Sequence, residues 1–107
     1  MLEVLTNPRC SKCRQALAFL DAQGVAYRVR NYLEQPLSLE ELQTLARRLG
    51  RPPSEWMREV AGATAQEQLE SLASRPELLQ RPIVIRGEVA AVARSVEALR
   101  ELLELSE

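Results

Sequence analysis

The motif C-x-x-C formed by Cys10 and Cys13 constrains the fold most, because it lies where a strand pattern changes into a helix pattern. Residues 2–5 form a short apolar run that predicts a strand, and residues 6–9 end it. From Ser11 onward, small and apolar residues recur at the spacing of one helix face, namely Cys13, Ala16, Leu17 and Leu20. The two cysteines are therefore predicted to open a helix that directly follows a strand.

A second strand follows this helix, which is predicted to end near Gly24. In residues 25–30, Val25, Tyr27 and Val29 alternate with Ala and Arg, which is typical of a half-buried strand. The first 30 residues thus predict a strand, a loop that carries the cysteines, a helix and a second strand. This arrangement is a βαβ unit.

Residues 38–80 are predicted to form a helical insertion. Ser38 and Glu41 have the spacing of a capping box, in which each side chain bonds the backbone amide of the other residue. Trp56 and Met57 are expected to pack against the middle helices. Capping residues and apolar spacing place the helical segments of this insertion at residues 39–49, 54–58 and 64–73.

The remaining residues predict a hairpin and a last helix. Three apolar β-formers follow Pro82, and after a turn at 86–88 the chain returns as a strand at 89–92. Ser95 is expected to cap the last helix. The apolar face of that helix is predicted to consist of Val96, Leu99, Leu102 and Leu103.

The order β-α-β, helical insertion, β-β-α describes an α/β protein of the thioredoxin-like fold, with helices packed on a mixed four-stranded sheet. Its 107 residues suit a single domain spanning 1–107. In this fold the proline that enters the third strand lies beside the cysteines, and its peptide bond is usually cis. A cis Arg81–Pro82 bond is therefore predicted, the alternative being an ordinary trans proline at a strand start.

Composition excludes several kinds of chemistry. The absence of histidine removes Ser-His-Asp and Cys-His catalysis and most zinc sites. Two thiols leave a four-ligand zinc site incomplete unless two chains share the metal, so redox chemistry is favoured and no metal is expected. A net charge of −1 argues against general binding to nucleic acid or membranes. Because the N-terminus lacks a signal-peptide pattern, a cytoplasmic protein is expected.

Cys10 is the candidate nucleophile. It is expected at the N-terminus of the first helix, where unpaired N–H groups and the helix dipole lower the pKa of a thiol. Arg9, Lys12 and Arg14 add positive charge beside it in the sequence. Cys13, one helical turn later, can reach Cys10 to form a disulfide. The first cysteine is therefore expected to attack and the second to resolve.

Arginines are the second set of candidates, because a thiolate that attacks an oxyanion needs fixed positive charge to hold its substrate. The planar guanidinium suits this task since it stays charged and binds two oxygens. Lys12 is the one lysine among 14 basic residues, which leaves 13 arginines, most of them expected on the surface. Periodicity favours Arg81 among them, because it precedes the proline expected beside Cys10.

Three segments carry a resemblance to a known family: Asn7-Pro8-Arg9-Cys10, the N-Y-L-E-Q-P sequence of residues 31–36, and Arg81-Pro82-Ile83-Val84. Together they resemble the glutaredoxin-linked arsenate reductases, a family that also includes the Spx-type transcription regulators. The resemblance covers nearly the whole chain. It implies that Cys10 attacks arsenate, and that glutathione and glutaredoxin then reduce the thiol-bound arsenic and release arsenite.

The resemblance also implies which residues bind the oxyanion. The three arginines of the reductases are matched here by Arg58, Arg81 and Arg94, and no bound cofactor is expected. Cys13 is absent from typical reductases and completes the C-x-x-C motif of Spx, so thioredoxin is expected as an alternative electron donor. Asn7 is expected either to hydrogen-bond the Cys10 loop or simply to form an Asn-Pro turn.

Three functions remain open from the sequence. The first is an arsenate-reductase-type thiol oxidoreductase with a small oxyanion substrate, and the second is a general glutathione- or thioredoxin-linked reductase on the same scaffold. The third is a redox-sensing regulator that binds RNA polymerase and switches through a Cys10–Cys13 disulfide. Oxyanion binding that depends on the three arginines favours the first. A stable complex with the C-terminal domain of the polymerase α-subunit favours the third.

Overall fold

The computed structural model describes residues 2–7 and 9–104, so Pro8 of the predicted Asn-Pro turn lies outside the described residues. The strands are β1 (Leu2–Thr6), β2 (Tyr27–Asn31), β3 (Ile83–Arg86) and β4 (Val89–Val92). The α-helices are α1 (Ser11–Ala22), α2 (Leu39–Leu49), α3 (Ala65–Ser74) and α4 (Val96–Glu104), and short 3₁₀ helices lie at Pro53–Trp56 and Pro76–Leu78. None of the helices in this part of the chain is long and apolar enough to cross a membrane.

The strands form one mixed sheet in the order β2-β1-β3-β4. β1 and β2 run parallel, as the intervening helix α1 requires, while β3 runs antiparallel to both β1 and β4. The central pair β1 and β3 therefore joins the β-α-β half of the chain to the β-β-α half. This topology confirms the predicted thioredoxin-like fold with a mixed four-stranded sheet.

Both faces of the sheet are covered, because successive side chains of the central strands point to opposite sides. On one face Leu5 and Ile83 pack in a buried cluster with leucines of α2 and α3 and with Trp56. On the other face Val4 and Val84 pack with α1 and α4, through Ala16, Leu20, Leu99 and Leu102. The sheet is thus the middle of three layers, and the chain segments at its ends are held from both sides.

The predicted capping box starts α2 and is linked to β2. Ser38 Oγ accepts from the Glu41 backbone N–H at 3.1 Å, and Glu41 Oε1 accepts from the Ser38 backbone N–H at 3.0 Å. Arg30 donates to Glu41 Oε2 at 2.6 Å and to the carbonyls of Gln35 and Pro36. The hydrogen bond from Arg30 is the main reason that the pKa of Glu41 falls to about 2. Arg30 therefore fixes the loop between β2 and α2.

The prediction for the second strand is partly wrong. The strand begins at Tyr27 rather than at residue 25, and Val29, which the alternation placed on the buried face, is 47% exposed. β2 is the edge of the sheet and has a neighbouring strand on one side only, so its side chains are less covered than those of β1.

Two helix predictions also need correction. The helical turn expected at 54–58 is the 3₁₀ helix Pro53–Trp56, and Met57 instead pairs with Leu79 in an isolated antiparallel bridge. Trp56 and Met57 are buried, as predicted. Val96 was expected on the apolar face of α4 but is 37% exposed, because it lies in the first turn, before the residues that pack on the sheet.

Truncating a buried leucine of α1 is expected to destabilise the protein far more than truncating an exposed one. Leu20 is 0% exposed, so Leu20→Ala should lower the free energy of unfolding by about 2–5 kcal/mol through lost burial and a residual cavity. Leu33 is 40% exposed, and Leu33→Ala should change it by less than about 1 kcal/mol. Urea unfolding followed by circular dichroism measures both. Equal losses in the two variants would contradict the two-sided core described above.

Candidate active site

The strand register brings four separate chain segments to one edge of the sheet. Thr6 at the end of β1 pairs with Asn31 at the end of β2, and Leu5 pairs with Ile83 at the start of β3. Ile83 in turn pairs with Val92 at the end of β4. The residues that adjoin these strand ends therefore meet, namely the Cys10 loop, Tyr32, the Arg81–Pro82 segment and Arg94.

Cys10 lies at the N-cap of α1, with its backbone extended, and Asn7 organises the loop before it. The Asn7 carbonyl accepts from the Cys10 backbone N–H at 2.9 Å, and Asn7 Oδ1 accepts from the Arg9 backbone N–H at 3.0 Å. The Asn7 backbone N–H donates to Cys13 Sγ at 3.4 Å. Asn7 thus bonds the backbone of Arg9 and Cys10 and the sulfur of Cys13. Both cysteines are free thiols.

The surroundings of Cys10 favour its thiolate. Partial burial alone raises the pKa of this thiol, but several hydrogen bonds to the sulfur outweigh that effect. They come from the Cys13 backbone amide, the Arg81 side chain, the Cys13 thiol and the Lys12 backbone amide, and they lower the pKa of Cys10 from 9.0 to about 7. A substantial fraction of Cys10 is therefore thiolate, the nucleophilic form, at neutral pH.

Cys13 has the opposite character. It is buried in the first turn of α1, and this burial is the largest cause that raises its pKa, followed by the hydrogen bond and negative charge of Cys10. The backbone amide of Asn7 and the charge of Arg81 lower the pKa of Cys13 but do not offset these effects, and it rises to about 11. At neutral pH Cys13 is thus a thiol that holds its proton while Cys10 loses one.

Arg81 is the arginine that acts on the cysteines. It precedes Pro82 across a cis peptide bond, as the sequence predicted, and its guanidinium lies beside Cys10, where it helps to lower the pKa of that thiol. The Ala93 backbone N–H donates to the Pro82 carbonyl at 2.8 Å, which ties this segment to the end of β4. The arrangement therefore places a half-buried cation directly beside the nucleophilic sulfur.

Tyr32 is a site residue that the sequence analysis did not single out. Its side chain is 0% exposed, and its hydroxyl forms no hydrogen bond of good geometry within the described residues. Burial raises the pKa of this phenol, while the nearby charge of Arg81 partly opposes the rise. The N-Y-L-E-Q-P segment pointed to this region, but only the packing shows that Tyr32 lies behind Arg81 and the cysteines.

The structure places the other two candidate arginines differently from Arg81. Arg94 Nη1 donates to Gln80 Oε1 at 2.8 Å, and Arg94 lines a small cleft with Lys12 and Gln15 in the first turns of α1. Arg58 donates its backbone N–H to the Leu78 carbonyl at 2.6 Å, and its side chain is exposed. Arg94 therefore lies at the same edge of the sheet as Cys10. Arg58 is joined through its backbone to Leu78, three residues before Arg81.

Across residues 2–7 and 9–104, no three cysteine, aspartate or glutamate side chains converge closely enough to hold a metal ion. The groups that the structure brings to this edge are an activated thiol, a second thiol and the positive charge of Arg81.

Selective alkylation tests the contrast between the two cysteines. Because the thiolate is the reactive form, the rate at which iodoacetamide modifies Cys10 should rise with pH and reach half its maximum near pH 7. Cys13, buried and with a pKa of about 11, should remain unmodified below pH 9. Peptide mapping by mass spectrometry separates the two sites. A midpoint near pH 9 for Cys10 would contradict the proposed activation.

Removal of the Arg81 charge should make Cys10 less acidic. In Arg81→Gln the alkylation midpoint should move to higher pH, since a hydrogen bond that favours the thiolate is lost. A rise of one pKa unit would lower the thiolate fraction at pH 7 about fivefold. Arg75→Gln is the matched control, because Arg75 is exposed and pairs with Glu77. The same midpoint in both variants would show that Arg81 does not activate Cys10.

Comparisons with known proteins agree on one family. A model of the ArsC family matches residues 5–102. The chain is 34% identical to an arsenate reductase from Neisseria meningitidis serogroup A, over 95% of this chain and 97% of the relative. It is 27% identical to the global transcriptional regulator Spx of Listeria innocua, over 96% and 87%.

The solved structures give the same result for the fold. The arsenate reductase from Vibrio cholerae is 32% identical and superposes with a TM-score of 0.85, over 92% of this chain and 95% of that one. The match of the family model therefore extends to the arrangement of the sheet and helices in space. On sequence and structure together, this chain belongs to the ArsC family.

Proposed function

We propose that this protein is a thiol oxidoreductase of the arsenate reductase type, in which the Cys10 thiolate attacks an oxyanion. The observation that carries the proposal is the position of Cys10 at the N-cap of α1 beside Arg81, where the pKa of its thiol is lowered to about 7. An activated thiolate beside a guanidinium, which can bind two oxygens, suits attack on the electrophilic central atom of an oxyanion. The similarity to proteins named arsenate reductases supports arsenate as the substrate.

In the first step the Cys10 sulfur forms a bond to arsenic(V), and one hydroxyl group of arsenate takes up a proton from solvent and leaves as water. Arg81 holds the remaining oxygens and offsets their negative charge, with Arg94 and Arg58 as further ligands of the oxyanion. No electrons have yet been transferred to arsenic, which remains pentavalent. The product of this step is a thiol ester of arsenate on Cys10.

In the second step a thiolate attacks the Cys10 sulfur. A sulfur–sulfur bond forms, the sulfur–arsenic bond breaks, and its electron pair stays on arsenic, which leaves as arsenite. When the attacking thiolate is Cys13, the product is a Cys10–Cys13 disulfide, which thioredoxin or glutaredoxin then reduces. When it is glutathione, the product is a mixed disulfide that glutaredoxin reduces. No bound cofactor is required in either route.

The electrostatics of Cys13 fit this order of events. Burial is the largest cause of its raised pKa, and the hydrogen bond and charge of the Cys10 thiolate add to it. When Cys10 bonds to arsenic, its sulfur is no longer an anion, so that part of the increase disappears. Cys13 is therefore more easily deprotonated after the substrate has bound, when its attack is needed.

A redox-sensing regulator of the Spx type is the second candidate. It is favoured by the C-x-x-C motif and by the similarity to Spx over 96% of the chain. In this function the Cys10–Cys13 disulfide switches binding to RNA polymerase, and no substrate is turned over. A general glutathione- or thioredoxin-linked reductase would use the same two thiols without the oxyanion, so arsenate dependence separates it from the first candidate.

The decisive experiment measures arsenate-dependent oxidation of NADPH with two donor systems, glutathione with glutaredoxin and thioredoxin with thioredoxin reductase. Cys10→Ser should abolish turnover and Arg81→Ala should reduce it at least tenfold, because the nucleophile or its anion-binding partner is lost. Cys13→Ser should abolish turnover with thioredoxin and leave turnover with glutathione. Arg75→Ala should match the wild type. Absence of arsenate-dependent turnover in both systems would reject the proposal.

A further inference from the structure

Gln80 joins two segments that carry candidate oxyanion ligands. Its side-chain oxygen accepts from Arg94 Nη1 at 2.8 Å, and its side-chain nitrogen donates to the Met57 carbonyl at 3.2 Å. Its backbone N–H donates to the Trp56 carbonyl at 3.0 Å. Gln80, directly before Arg81 in the chain, thus contacts Arg94. It also contacts residues 56–57, which lead into Arg58.

The two side-chain contacts require an amide. A guanidinium only donates hydrogen bonds and a backbone carbonyl only accepts them, so the amide of Gln80 can be oriented in one way. A carboxylate would accept from Arg94 but could not donate to Met57, and an apolar side chain would do neither. The Met57 carbonyl therefore keeps the Gln80 oxygen directed at Arg94.

This contact restrains a side chain that would otherwise be free to move. Arg94 is exposed, and an exposed arginine samples many rotamers, whose loss on ligand binding costs free energy. Gln80 engages one of the five N–H donors of the guanidinium at Nη1, which leaves donors for the oxygens of an anion. The restrained cation lies beside the first turns of α1, in the cleft lined by Lys12 and Gln15.

We propose that Gln80 is a positioning residue that holds Arg94 toward an anion at Cys10. This inference rests on the proposed function, since it deepens the account of the oxyanion site. The hydrogen bonds of Gln80 go to Arg94, Met57 and Trp56, so it should affect how an anion binds and not how acidic the thiol is. The role of Gln80 therefore differs from that of Arg81, which affects both the binding of an anion and the acidity of the Cys10 thiol.

The test compares Gln80→Met, Arg94→Gln and the double variant with the wild type, in the full chain. In the arsenate assay, Gln80→Met should raise KM about three- to tenfold, as expected for loss of the net contribution of one ordinary hydrogen bond, with little change in kcat. The double variant should be no worse than Arg94→Gln alone, because Gln80 acts only through Arg94. Losses that multiply in the double variant would overturn the proposal.

A second readout does not depend on arsenate. The ratio of Cys10 alkylation rates with iodoacetate and iodoacetamide compares an anionic with a neutral reagent, so it reports the positive charge that Cys10 presents to an anion. Gln80→Met should lower this ratio about as much as Arg94→Gln does, while the iodoacetamide midpoint stays near pH 7 and shows that the site is folded. An unchanged ratio would overturn the role of Gln80 even if arsenate is turned over.

Two controls complete the experiment. Gln66→Met removes an exposed amide of α3 that bonds Glu70 and should leave KM and the alkylation ratio unchanged. If Gln80→Met fails to fold, Gln80→Asn replaces it, since its amide is one methylene shorter and cannot reach both partners at once. If the wild type turns over no arsenate, the proposed function fails, and the alkylation ratio alone decides whether Gln80 positions Arg94.

Discussion

This site depends on how the protein stabilises the negative charge of the Cys10 thiolate. The charge lies at the N-terminus of α1 and is stabilised there against the cost of partial burial. Burial alone would keep the sulfur protonated. Backbone amides of the first helical turn and the guanidinium of Arg81 reverse that effect and bring the pKa to about 7. The same charge helps to keep Cys13 protonated, so one anion both creates the nucleophile and holds the second thiol in reserve.

The rest of the fold holds these groups in place. β1 ends at Thr6 and α1 begins at Ser11, and Asn7 bonds the loop between them. This loop places Cys10 at the start of α1, where the backbone amides of the first turn can hydrogen-bond its sulfur. Arg81 reaches the sulfur because β3 starts beside the end of β1 in the central pair of the sheet. Tyr32 is buried near Arg81, whose charge partly opposes the rise that burial produces in the pKa of its hydroxyl.

Much of this arrangement could be predicted from short-range patterns. The C-x-x-C motif, the capping box of Ser38 and Glu41 and the cis Arg81–Pro82 bond follow from local chemistry or from the order of elements, and the structure has all three. The burial of Val29 and Val96, which was predicted wrongly, depends on how far one element covers another. Periodicity shows which residues share a face of a helix or strand. It does not show how far a neighbouring helix or strand covers that face.

The sequence by itself determined the element order, the position of both cysteines at the start of a helix and the arginine before the strand proline, because each depends on neighbours in the chain. Only the tertiary structure decided that Arg81 contacts Cys10, that Tyr32 lies behind it and that Gln80 holds Arg94. These contacts join residues from 14 to about 70 positions apart, and they exist only because the sheet register brings the strand ends together. Hydrogen bonds between side chains so distant in sequence leave no periodic signal in the chain.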